Sequence, residues 1–141
     1  MREIKFRGQC LDGKWVYGNL AHAVIKIGHA EPGYYISNSV GSPFAYAVRP
    51  ETIGQYTGLK DKNGKEIWEG DIFKDDRGVV RSVFRVPGGL AFEDNPVSFG
   101  YDHRSPVYPY SPIADTQNVS WLAQCCEVID NIHDNPKLLK Q

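Results

Sequence analysis

Several sets of residues in this 141-residue chain have types that support chemistry. Soft and imidazole donors come first: Cys125, Cys126 and His133 lie near the end, with Cys10, His22, His29 and His103 elsewhere. Zinc requires such donors to converge tetrahedrally, and their spacing here matches no finger. Neighbouring residues on a strand point to opposite faces, so Cys125 and Cys126 do not both reach one ion without a bulge. The expectation is buried or half-buried thiols and no metal site.

Carboxylates form the second set: Glu66, Glu69, Asp71, Asp75 and Asp76. Paired carboxylates serve nucleases and glycosidases when they converge, whereas charges on turns and strand edges discourage aggregation and need no convergence. Asp71 is expected to accept backbone hydrogen bonds in the turn it opens. The run Asp61 to Glu66, DKNGKE, resembles a calcium loop superficially, but Gly64 stands fourth where that motif has glycine sixth, and a tight two-residue turn at Asn63-Gly64 accounts for it. His133-Asp134 has the types for acid-base work, without identifiable partners. There is no nucleophile elbow, P-loop or dinucleotide fingerprint, so no catalytic residue is assigned.

Binding chemistry is the third possibility. Lys74, Arg77, Arg81 and Arg85 lie near Phe73 and Phe84, offering cations to phosphates and rings to bases. On a strand, Arg81, Val83 and Arg85 share one face, with Val80, Phe84 and Val86 on the other. Tyr101, Tyr108 and Tyr110, in the loop YDHRSPVYPYSP, suit protein contact, because tyrosine buries a large area at low entropic cost.

The elements that must position these residues are mostly strands. Fourteen glycines, nine prolines and eight tyrosines favour short strands and turns over long helices. Ile4 and Phe6 alternate with Glu3, Lys5 and Arg7; Asp12-Gly13 turns the chain; Trp15 to Tyr17 resumes it as a hairpin. Ala21 to Ile27 reads as strand, and Gly28 to Gly33 as a loop before Tyr34 to Ile36. Arg49-Pro50 implies edge or loop geometry. Val79 to Val86 is the longest β-branched and aromatic run, Leu90 to Glu93 returns, and Asn95 to Pro112 is a long loop. Val119, Trp121, Val128, Ile129 and Ile132 suggest strands, against a competing amphipathic helix near Ser120 to Glu127. Asn135 caps and Pro136 starts a short terminal helix.

Bulk properties restrict the partners. A net charge of -1 supplies no global field for nucleic acid or an anionic membrane. The opening MREIKFRGQC has no apolar stretch of signal-peptide length, and nowhere does the chain approach the roughly 18 apolar residues of a membrane helix. Three cysteines, an odd number with two adjacent, suit reduced thiols. Cytoplasmic residence without membrane contact is expected.

Four segments together resemble the YopX-like proteins of bacteriophages and prophages. They are MREIKFRG at Met1, KWVYGNL at Lys14, ETIGQYTGLKDKNGKEIWEGDIF at Glu51 and EVIDNIHDNPKLL at Glu127. Asp130 departs from the pattern, where the family has glycine. The resemblance implies an N-terminal β lobe, residues 1–57, and a C-terminal lobe similar to an SH3-type barrel, residues 58–141, in one phage-derived unit. The turn order around Gly70, Gly78 and Pro87-Gly88-Gly89 suits such a small, strongly bent sheet.

The reading is therefore a mostly β fold, all-β or β-rich α+β. Its expected role is a cytoplasmic binding or assembly module using an unknown protein partner or self-association, with no cofactor. Weak nucleic-acid binding through Lys74 to Arg85 is the alternative, and a metal-dependent hydrolase the third.

Overall fold

Apolar residues in alternation, interrupted by glycines able to take positive φ, build hairpins, and hairpins make up most of this chain. The structure, a computed structural model, describes residues 4–38, 44–86, 89–93, 110–113 and 116–140. It divides into two units, Met1–Tyr56 and Thr57–Gln141.

The first unit contains β1 (Phe6–Gln9), β2 (Trp15–Ala23), β3 (Gly33–Ser37), β4 (Tyr46–Val48) and a 3-10 turn at Pro50–Thr52. β5 (Gly54–Lys60) carries the chain into the second unit, and the strands of the first take the antiparallel order β4-β3-β2-β1-β5. Val16, Ile36 and Val48 form its buried apolar cluster, packed by Phe6, Cys10, Leu20, Tyr34 and Ile53. Backbones approach closely here: a Cβ on Gly18 would lie 2.1 Å from the Ser37 carbonyl oxygen. At φ +150°, position 18 suits glycine for its conformation as well as for the space.

The second unit continues with β6 (Glu66–Trp68), which forms a hairpin with β5, and then β7 (Asp71–Lys74), β8 (Val80–Val86), β9 (Gly89–Glu93) and β10 (Tyr110–Pro112). α1 (Thr116–Cys125) and β11 (Glu127–Asn131) follow, ending in a 3-10 turn at Pro136–Lys140. The antiparallel order is β10-β9-β8-β7-β11. Phe73, Val83, Phe92 and Val128 share a face through the registers Val83↔Phe92 and Val128↔Phe73, and with Ile67, Leu90, Ile113, Leu122 and Cys126 they form one buried core. Phe73, Phe92 and Trp121 meet as an aromatic triad, with ring centroids 5.4 to 6.1 Å apart.

Several expectations need correction. The sheet of the second unit is open, with β10 and β11 at its two ends, so the SH3-type closure is not formed among the described residues. α1 adds Leu122 to the buried core of this unit and packs Trp121 against it. Val119 and Trp121 lie in that helix and not in strands; the competing helix over Ser120 to Glu127 holds in kind, but it starts earlier, at Thr116, and ends at Cys125, while Glu127 opens β11 and Ile132 lies in the turn after it. β2 stops at Ala23, so Val24 to Ile27 are not strand except for one bridge, Ile27↔Ala30.

Asn63-Gly64 belongs to a three-residue loop: the Asp61 N–H donates to the Lys65 carbonyl at 2.8 Å and the Gly64 N–H to the Asp61 carbonyl at 3.0 Å. Gly64 at φ +79° takes the left-handed position. Asn135 does not cap the terminal turn by its side chain; its amide reaches Asp130 at 3.4 Å. Asn131 does the capping one turn earlier, its Oδ1 accepting the His133 and Asp134 N–H groups at 3.0 and 2.9 Å.

Candidate functional site

The loop Asp61 to Lys65 has a twin at Asp75 to Val79. In the second, the Asp75 N–H donates to the Val79 carbonyl and the Gly78 N–H to the Asp75 carbonyl, both at 3.0 Å. Each aspartate also folds its own loop. Asp61 Oδ1 accepts the Asn63 and Lys65 N–H groups, and Asp75 Oδ1 those of Arg77 and Val79, all at 2.9 Å. The second oxygens differ in use. Asp61 Oδ2 accepts the N–H of Val128 on β11 at 2.9 Å, and Asp75 Oδ2 accepts from the Arg81 guanidinium at 2.8 Å. Asp71 Oδ2 takes the Trp68 N–H at 2.7 Å, closing the turn between β6 and β7.

Of the carboxylates singled out as a possible catalytic cluster, Asp71 is thus engaged by backbone, and Asp75 by backbone and by Arg81. Burial by itself pushes the Asp75 carboxyl up, but the hydrogen bonds from Arg81, Val79 and Arg77, with the Arg81 charge, outweigh it and hold Asp75 below its ordinary value. Glu69 pairs with Arg85 at 2.8 Å, and Asp76 stands exposed in the twin loop.

The basic face takes a different form from a cationic rail. Arg81 and Arg85 do share a face, but it is the core face, since Val83 between them is only 1% exposed. Arg81 lies over the Trp121 ring, 5.1 Å from its centroid, while paired to Asp75. Arg85 is held by Glu69, Lys74 stands exposed opposite Glu127 in the register of β7 with β11, and Arg77 sits exposed at the tip of its loop.

Donor residues are dispersed. Cys126 is fully buried, and burial, with the Asp75 carboxylate adding to it, pushes its thiol up to about 12. Cys10 and Cys125 are half-buried, and all three thiols are free. His22 stacks on Tyr34 with centroids 4.0 Å apart, and His29 occupies an exposed loop. Among the described residues no three His, Cys, Asp or Glu side chains gather as a metal site. Tyr101, Tyr108 and His103 lie outside the described residues, and Tyr110 is described only as backbone of β10.

The surface feature that strand patterning missed joins β2 to β3. Val24, Ile25 and Ile27 are 77%, 70% and 47% exposed. The segment is nonetheless tightly built: Ile27 and Ala30 exchange backbone hydrogen bonds of 3.0 and 2.9 Å across Gly28-His29, with Gly28 at φ +60°. Lys26 and Glu31 pair at 3.3 Å beside that turn, and the Tyr35 hydroxyl donates to the Glu31 carbonyl at 2.6 Å. The available signal was the sequence VIKI, in which two adjacent apolar residues break strict alternation immediately before a Gly-containing turn. Such a tip offers apolar surface in a fixed shape, which suits contact with another macromolecule.

Among the described residues these features define a class: an antiparallel β protein of two units, the second with one α-helix packed on an open sheet. The chain belongs to the YopX family, whose profile, described as YopX protein, matches residues 5–140. Among solved structures it is similar to protein EF1440 from Enterococcus faecalis, at 22% identity with a TM-score of 0.56, covering 99% of each chain. At that identity the likeness is one of fold. No curated protein matches the sequence. No helix among the described residues is long and apolar enough to cross a membrane.

Proposed function

We propose that this chain is a phage- or prophage-derived binding or assembly module of the bacterial cytoplasm, acting through protein contacts made by the tip at Val24 to Glu31. The observation that carries this reading is the exposure of Val24, Ile25 and Ile27 on a hydrogen-bonded, ion-paired support. Leaving large β-branched side chains in water forfeits the stabilisation of burying them, roughly 1.5–3 kcal/mol each. A rigid tip has little ordering entropy left to lose on binding, so its apolar area converts efficiently into affinity. The phage origin draws support from the family resemblance. The cytoplasmic setting draws support from three free thiols.

The test is photo-cross-linking in bacteria that express the full chain, with a photoreactive residue in place of Ile25 and a control in place of exposed Lys60 in the second unit. Discrete adducts of protein mass from position 25 but not from position 60 are expected. Equal labelling from both positions, or none from position 25, would refute the reading.

A further inference from the structure

The charges on the tip point to what it contacts. Lys26 and Glu31 stand side by side next to the Gly28-His29 turn, 62% and 70% exposed, with Val24, Ile25 and Ile27 alongside. A patch with one cation beside one anion is its own electrostatic complement. Turned about a two-fold axis between them, Lys26 of one copy meets Glu31 of the other, and Glu31 meets Lys26. Val24, Ile25 and Ile27 are the apolar area that such a contact has to cover. The chain's net charge of -1 puts almost no long-range repulsion in the way.

We infer that the tip docks a second copy of this chain in an isologous, two-fold contact. This rests on the reading of the tip as a protein-contact surface and names its occupant. A lipid surface fits the same residues less well. The tip's lysine is already neutralised by Glu31, and the tip lacks the basic cluster and the tryptophan or phenylalanine that membrane-seeking segments use. Three aliphatic side chains amount to a patch of roughly a few hundred Å², against about 800 Å² per partner in a stable interface. The dimer is therefore weak and depends on concentration.

Sedimentation of the full chain from about 5 to about 500 µM, the range in which small interfaces associate, tests this. The weight-average mass is expected to rise above the monomer's 15.8 kDa toward twice that value. Ile25→Asp is expected to weaken association at least about tenfold, as a charge facing apolar surface must. Lys26→Glu and Glu31→Lys are each expected to weaken it alone, and their equimolar mixture to regain it. Each single variant already lacks the pair within its own tip, so recovery on mixing comes only from pairing between copies.

A wild-type chain that stays monomeric throughout, or a mixture no stronger than its components, would overturn the inference. Monomer together with discrete adducts from position 25 to another protein overturns self-docking and leaves the contact reading standing. Monomer without such adducts overturns both. Association that Ile25→Asp leaves unchanged would place the dimer contact elsewhere and also overturn the inference.

Discussion

The two units spend their apolar residues differently. In the second, a buried core running from Ile67 to Val128 is closed by Leu122 and Trp121, and the described residues expose no large hydrophobic side chain. In the first, Val16, Ile36 and Val48 form the buried cluster, while Ile4, Leu11, Tyr17, Val24, Ile25, Ile27 and Tyr46 stand exposed. The support also differs: aspartates fold the loops of the second unit, and close backbone approach at Gly18 shapes the first. On the proposed reading, the scaffold and the contact surface lie in different units. Substitutions in one unit should therefore read mainly as stability, and those at the tip of the other as association.

The sharpest way to break this contrast is Phe73→Ala. It removes a fully buried ring from the aromatic triad and is expected to cost about 3–5 kcal/mol in urea unfolding. A loss under about 1 kcal/mol would show that the second unit is not the scaffold it looks to be. Next comes Gly18→Ala, whose new methyl would overlap the Ser37 carbonyl at a φ that side chains rarely adopt. About 2–3 kcal/mol is expected, with loss of amide exchange protection in β2 and β3.

Asp75→Asn should cost about 1–2 kcal/mol at neutral pH, because it deprives Arg81 of its charged partner. Its sign with pH is fixed. A folded-state value held below the ordinary 3.8 gives stability that is full above 3.8 and is lost as pH falls through the lower folded value. Acid titration of unfolding should show that loss in the wild type, and the part due to this group should vanish in the variant. Smallest is Ile25→Asp, expected within about 0.5 kcal/mol of wild type by thermal or urea unfolding. A large destabilisation there would mean that the tip belongs to the fold and not to a contact.

The same contrast explains what could be read from the residues in advance. Val80 to Val86 and Gly89 to Glu93 stand on the β-branched run Val79 to Val86 and the return from Leu90 to Glu93, but the alternation read at Ile4 to Arg7 fails: β1 covers Phe6 to Gln9, with Ile4 70% exposed and Arg7 buried. α1 was harder, because TQNVSWLAQC offers few apolar positions, and its burial comes from Leu122 and Trp121 meeting strands distant in sequence. Closure of the second sheet is likewise a property of how its ends are placed in space, which turn order does not determine. Among the acidic residues, the roles of Asp71 and Asp75 follow from their turns. That of Asp61 toward Val128 does not, because its partner has no local signal. Parity likewise groups Arg81 with Arg85, but it does not say that their face is the one holding buried Val83 and meeting Trp121.

The bond from Asp61 to Val128 spans 67 residues of sequence. Asp61 Oδ1 takes its donors from its own loop, whereas Oδ2 takes one from a strand that comes much later in the chain. That donor exists only once the chain has been made as far as Val128. Completion of the second unit is thereby tied to the arrival of its last strand, and a chain released early would keep β7 without the neighbour that ends the sheet.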